Sequence, residues 1–174
     1  MARFDLCMAV GRCLLVDGRV REAVVWLSEC FVWRQGRFQE DDPFRLSSQH
    51  ALAMAYQADG QVSKAVTLLE EVVAIREKVL KEDLPDRLAS QHELARVYQA
   101  DGQVSKAVTL LEEVVVIQEK VLKEDHPDRL ASQHELARVC QVDGQVSKAV
   151  TLLEQVFAIK EKVLKEDHPS RLAS

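Results

Sequence analysis

Little in the sequence marks a specialised chemistry. Aromatic residues make up 5% of the 174 positions, and there are four cysteines, four prolines and six glycines. Cys7, Cys13, Cys30 and Cys140 form no CxxC pair and no regular framework. That spacing excludes a small disulfide scaffold and suits free thiols in a reducing cytosol. Long apolar runs are also missing. The stretch MARFDLCMAVGRCLLVDGR is broken at Asp5, Arg12 and Asp17, and no later stretch approaches the roughly 18 apolar residues of a spanning helix. A soluble, unexported, cytoplasmic chain is expected. Positive charge is not in excess, since 23 Lys and Arg face 28 Asp and Glu for a net charge of -5. Such a chain has no general attraction to phosphate backbones or anionic lipid, so neither nucleic acid nor membrane is an expected partner.

What is present is repetition. Gly18, Gly60, Gly102 and Gly144 stand 42 residues apart, as do Ala23, Ala65, Ala107 and Ala149. All four prolines, Pro43, Pro85, Pro127 and Pro169, keep the same step. With Ser48 as the phase, the copies are 48–89, 90–131 and 132–173, preceded by a diverged copy at 6–47, and residue 174 begins a further one. The clause HPDRLASQHELA at 126–137 nearly repeats 84–95 and starts again at 168 as HPSRLAS. Residues 1–174 read as a single array of four units.

Each copy reads as two helices. Pro85 and Pro127 suit a first helical turn, where the missing N–H would have no partner. Gly102 is placed to take the left-handed conformation after a helix. A second helix is expected from about Val104 to about Lys123. Its apolar residues Val104, Ala107, Val108, Leu111, Val114, Val115, Val121 and Leu122 make one stripe, with Glu112, Glu113, Glu119 and Lys120 turned away. Leu110 and Ile117 lie off that stripe, where a neighbouring copy would cover them. A lone amphipathic pair has nothing to pack on, so successive pairs are expected to stack.

LARVYQADGQVSKAVTLLEEVV, at 94–115, resembles the tetratricopeptide signature: Leu94, Ala95 and Tyr98, then Gly102, Ala107 and Leu111. The usual unit is about 34 residues. The longer unit here, with its extended second helix and EDHPD at 124–128, looks like the kinesin light chain type. Near-identical copies also resemble the carboxy-terminal arrays of fungal nucleotide-binding receptors of the NB-ARC and NACHT classes. The resemblance implies an all-α, right-handed solenoid of helix-turn-helix repeats that binds another protein and has no catalytic residue. GQVSKAV at 102–108 is not the glycine-rich phosphate loop GxxxxGK[ST], so no nucleotide or other cofactor is expected. Gln49, Gln91 and Gln133 depart from the pattern, standing where an apolar residue is usual, and Cys140 replaces the aromatic of Tyr56 and Tyr98.

On a wheel of 100° per residue, Gln91, Leu94, Ala95 and Tyr98 share one face of the first helix, and Ala89, His92, Arg96 and Gln99 share another. First helices line the concave groove of a tetratricopeptide superhelix, and this second stripe resembles the one that meets peptides. Its residues are His50, His92 and His134; Met54, Arg96 and Arg138; Gln57, Gln99 and Gln141; and Ala58, Ala100 and Val142. The polar stripe, with its positive lean, suits an extended acidic protein segment, since guanidinium forks bind carboxylates well. The plain alternative is a solvated helix surface copied by duplication.

The three histidines do not suggest metal. Zinc needs nitrogens about 2 Å from one ion, whereas packed helix axes lie about 8–10 Å apart. His126 and His168 read as helix-entrance residues, and Cys30 and Cys140 as core filling. Trp26 and Trp33 read as core or cap, and the pairs Glu70 with Glu71 and Glu112 with Glu113 as a solvated outer face. Two functions follow from different classes. One is a groove that takes a partner peptide, as in kinesin light chain. The other is a sensor or self-association segment of a nucleotide-binding receptor, associating through an uncapped carboxy-terminal repeat.

Overall fold

The structure, a computed structural model, describes residues 2–81 and 84–166, with side chains from residue 6 to residue 163. The restart HPSRLAS, with His168 and Pro169, lies outside the described residues. Among the described residues there are eight helices and no strand. They are α1 (Ala2–Val16), α2 (Val20–Gln35), α3 (Pro43–Ala58), α4 (Val62–Val79), α5 (Pro85–Ala100), α6 (Val104–Val121), α7 (Pro127–Val142) and α8 (Val146–Glu166).

The punctuation works as the local chemistry requires. Pro43, Pro85 and Pro127 each sit in the first turn of their helix. The residue before the proline differs among copies: Asp42 accepts the Phe44 N–H at 2.8 Å and the Arg45 N–H at 3.2 Å, His126 Nδ1 accepts the Asp128 N–H at 3.2 Å, and Leu84 supplies no cap. His126 is thus the helix-entrance residue expected, and its Nδ1 is an acceptor there. Gly60 follows α3 at φ +76° with open space around a built Cβ, so the backbone conformation alone calls for glycine. α6 ends at Val121, two residues before the expected Lys123, because Leu122 turns extended at φ -111° and ψ 147°.

The chain divides into two compact units, Met1–Gly102 and Gln103–Ser174. In the first, α1 to α5 pack consecutively. Cys7 and Met8 of α1, Leu27, Cys30 and Phe31 of α2, and Ala51, Leu52 and Ala55 of α3 form one buried cluster, with Val24 packed against it. Gly11 lets α1 approach α2: a Cβ there would stand 2.6 Å from Leu27 Cγ. Full burial of each leucine contributes about 1.5–3 kcal/mol. In the second unit α6 packs on α7 and α7 on α8, around Leu111, Val114, Leu136, Val139 and Cys140. Ile117 is buried and Leu110 half-buried.

Two expectations need correction. Trp33 is half-buried, edge-on to Phe38, but Trp26 is exposed on α2 and is no core residue. The outer acidic pairs are not merely solvated. Tyr98 Oη donates to Glu70 at 2.7 Å, Gln49 Nε2 donates to Glu71 at 2.6 Å, and Glu112 pairs with Lys148. The unusual glutamines have a matching explanation. Gln91 is buried between α4 and α5 and donates to Glu77 at 3.0 Å, and Gln133 donates to Glu119 at 3.1 Å. A buried amide is tolerable because a carboxylate on the neighbouring helix receives it.

Candidate functional site

In the first unit, the polar stripe is carried by α1, α3 and α5. Its centre is Arg96, exposed on α5. Nη2 donates to Gln57 Oε1 at 3.2 Å, lies 3.7 Å from Met54 Sδ, and pairs at 2.7 Å with Glu93 one turn earlier. The guanidinium is therefore held across α3 and α5 instead of moving freely, which reduces the entropy lost on ligand binding. His50 is half-buried, and its Nε2 has no hydrogen-bond partner. Burial pushes its imidazole below the usual range; Glu93 opposes the shift, while Arg76, Arg12 and Arg96 reinforce it. His92 and Gln99 are half-buried on the same helix as Arg96.

In the second unit the corresponding residues lie on α7, where His134, Arg138 and Gln141 are all exposed. Arg138 Nε donates to Glu135 at 3.0 Å, and this hydrogen bond holds the guanidinium pKa above its usual value. His134 borders a hollow of about 450 Å³ with Asp125, Pro127, Leu130, Ala131 and Lys160. Each unit thus offers an arginine already engaged by a carboxylate. An incoming acidic group would share or displace Glu93 or Glu135.

Tetratricopeptide repeat family models match residues 86–173 and 45–86. The chain belongs to the tetratricopeptide repeat family. A kinesin light chain-like protein of nearly identical TPR-like repeats from Podospora anserina is 56% identical, with 98% of this chain and 81% of that one covered at a TM-score of 0.88. BtubC from P. vanneervenii is 15% identical over 95% of this chain and 66% of its own, at a TM-score of 0.83. A Rap protein complexed with competence and sporulation factor is 11% identical over 91% of this chain and 42% of its own, at 0.71. These last two show likeness of fold alone. No curated protein matches the chain.

Tetratricopeptide repeats form an all-α solenoid class of non-catalytic scaffolds that typically serve protein–protein interaction, and this protein is such a scaffold and not an enzyme. No described helix is long and apolar enough to cross a membrane. Among the described residues no group of three or more His, Cys, Asp or Glu is placed to hold a metal ion. Cys7, Cys30 and Cys140 are buried, Cys13 is exposed, and none of the four forms a disulfide. Burial, with the charge of Asp143 behind it, raises the Cys140 thiol above its usual range, which suits core filling and not a nucleophile.

Three residues of this tetratricopeptide stripe escape a reading of the near-identical copies. Arg12, exposed on α1, occupies the position of Met54, Arg96 and Arg138 in the diverged first copy, and its charge reaches His50. The signal was the 42-residue step carried back past the recognisable copies. Glu93 and Glu135 stand three residues before their arginines, a spacing that places them on the same helix face.

Proposed function

We propose that this protein is a cytoplasmic interaction scaffold whose first-helix stripe takes an extended acidic segment of a partner protein, with residues 1–174 acting as a single array. The observation that supports it most is the environment of Arg96. A guanidinium is fixed between Gln57 and Met54, beside the unpartnered Nε2 of His50 and with Arg12 within electrostatic range. Arg12, His50, Gln57, His92, Arg96 and Gln99 form the site in the first unit, and His134, Arg138 and Gln141 repeat it on α7. A carboxylate entering beside Arg96 takes a charge-assisted hydrogen bond, and the neighbouring amides and imidazoles supply further donors along the bound segment.

The test is a titration with an extended Asp/Glu-rich peptide at two salt concentrations. Arg96→Glu and Arg138→Glu are each expected to weaken binding by about 1–2 kcal/mol, more than the matching Gln variants, with affinity falling as salt rises. Glu113→Lys, on the exposed face of α6, is expected to leave binding unchanged. Undiminished binding by the double reversal, with binding lost in Glu113→Lys, moves the site off the first helices.

A second reading is favoured by the face of α8. Among its described side chains only Ala149 and Val156 are buried, so the apolar stripe of this helix is open. Self-association through that face, as in the repeat segment of a nucleotide-binding receptor, is the function it supports.

A further inference from the structure

Three turns among the described residues join the second helix of one copy to the first helix of the next: α2 to α3, α4 to α5 and α6 to α7. An arginine of the following helix reaches back across each of them. Arg45 Nη1 donates to the Phe38 carbonyl at 3.3 Å, Arg87 Nη1 to the Leu80 carbonyl at 3.4 Å and Arg129 Nη1 to the Leu122 carbonyl at 3.4 Å. Donors and acceptors alike keep the 42-residue step, and a cation suits the carbonyls left over where a helix ends. A second arginine reaches forward, but only in the first unit. Arg34 Nη1 donates to the Phe44 carbonyl and Arg76 Nη1 to the Asp86 carbonyl, both at 2.7 Å. Arg34 also lies over the Phe44 ring at 5.7 Å from its centroid. In the second unit the same position is Gln118, and the matching acceptor would be the carbonyl of Asp128. Gln118 makes no such bond. Its side chain is buried, and its Oε1 has no hydrogen-bond partner. The turn from α6 to α7 is therefore held by one guanidinium, where each turn of the first unit is held by two.

We propose that the turn from α6 to α7 is a hinge of the array, and that Arg34 and Arg76 are the residues that keep the two turns of the first unit closed. A hydrogen bond from a charged donor holds more strongly than a neutral one, and losing it shifts a closed-to-open equilibrium by about tenfold. The helix caps alone would put the weak point elsewhere, because His126 caps α7 while Leu84 supplies no cap to α5. Clasps and caps thus forecast opposite turns as the mobile one. α7 carries His134, Arg138 and Gln141, so motion at this hinge changes how the second unit presents its part of the stripe. The hinge itself stands whether or not the stripe takes an acidic segment.

Relaxation dispersion of the backbone amides in the full chain, which reports μs–ms motion, tests this on matched leucines. Leu80 and Leu122 follow α4 and α6, and Leu88 and Leu130 stand near the starts of α5 and α7. Leu122 and Leu130 are expected to show an exchange contribution that Leu80 and Leu88 lack. Gln118→Arg is expected to remove it, since buried Arg34 shows that a guanidinium fits the corresponding position. Arg76→Gln is expected to create it at Leu80 and Leu88, with the open population raised about tenfold. Unchanged helical circular dichroism confirms that each variant is folded. Arg76→Gln buries no new charge, so it decides the matter should Gln118→Arg fail to fold. Dispersion at Leu80 and Leu88 of the parent but not at Leu122 and Leu130 overturns the proposal in favour of the caps. Equal dispersion in the two turns, or none in either, also overturns it. So does a folded Gln118→Arg that leaves Leu122 and Leu130 unchanged, or a folded Arg76→Gln that leaves Leu80 and Leu88 silent.

Discussion

α6 and α8 are close to the same peptide, VSKAVTLLEEVVVIQEKV against VSKAVTLLEQVFAIKEKV, yet they are differently buried. Val108, Leu111 and Val115 of α6 are 4%, 1% and 5% exposed, while the same positions on α8, Val150, Leu153 and Phe157, are 47%, 41% and 69% exposed. Sequence makes both helices amphipathic, and both pack on α7, but these positions are buried only on α6, where α7 is the first helix of the following copy. A repeat's stability therefore belongs to the pair of neighbours and not to the copy.

Truncating the two matching leucines gives the largest expected contrast. Leu111→Ala is expected to cost about 2–4 kcal/mol, through lost burial and a residual cavity, whereas Leu153→Ala, already solvated, should stay within about 1 kcal/mol. Urea unfolding of dilute protein measures both, and equal losses would break the comparison.

Next come the ties between helices on either side of the same position. Tyr98 gives its hydroxyl to Glu70. Cys140 has no hydroxyl for Glu112, which turns to Lys148 on α8 instead. Tyr98→Phe is expected to lose about 1 kcal/mol, while Lys148→Met should lose at most about 0.5 kcal/mol, because both partners of that ion pair are well exposed. Burial first, and Glu70 second, hold the Tyr98 phenol well above its usual range. A raised acid keeps its proton in the folded state after the unfolded chain has released it. Stability is therefore full below about pH 10 and falls as pH rises beyond it. Alkaline unfolding of Tyr98→Phe should show a shallower fall than the parent.

The smallest effect concerns His50. Its lowered folded pKa means that the unfolded chain takes up a proton first, so stability is full above about pH 6.5 and is lost as pH falls. His50→Gln should flatten that slope on the acid side. The charges facing His50 are Glu93, Arg76, Arg12 and Arg96, and an unchanged slope would mean that they compensate for its burial.

The sequence shows the fold because its determinants are local. Pro43, Pro85 and Pro127 start helices, and glycines such as Gly60 end them with a left-handed turn, whatever the rest of the chain does. The 42-residue step then implies stacking. What it does not show lies between helices. Periodicity places Gln91 on a packed face but does not reveal that Glu77 reaches it, because that depends on crossing geometry and side-chain rotamers. The same holds for Glu70, read as a solvated carboxylate and found accepting from Tyr98. The stripe was legible as a set of helix positions, but the pairing of Arg96 and Arg138 with Glu93 and Glu135 reduces its positive lean. Arg12 was hidden by the divergence of the first copy, not by any weakness of its position.

Amide hydrogen exchange of α6 against α8 measures the central claim most directly. In dilute protein, the amides of 146–163 are expected to exchange markedly faster than those of 104–121, through an opening that leaves α6 and α7 folded. Equal protection of the two helices in monomeric protein would contradict the account, because α8 would then owe its stability to something other than a covering neighbour.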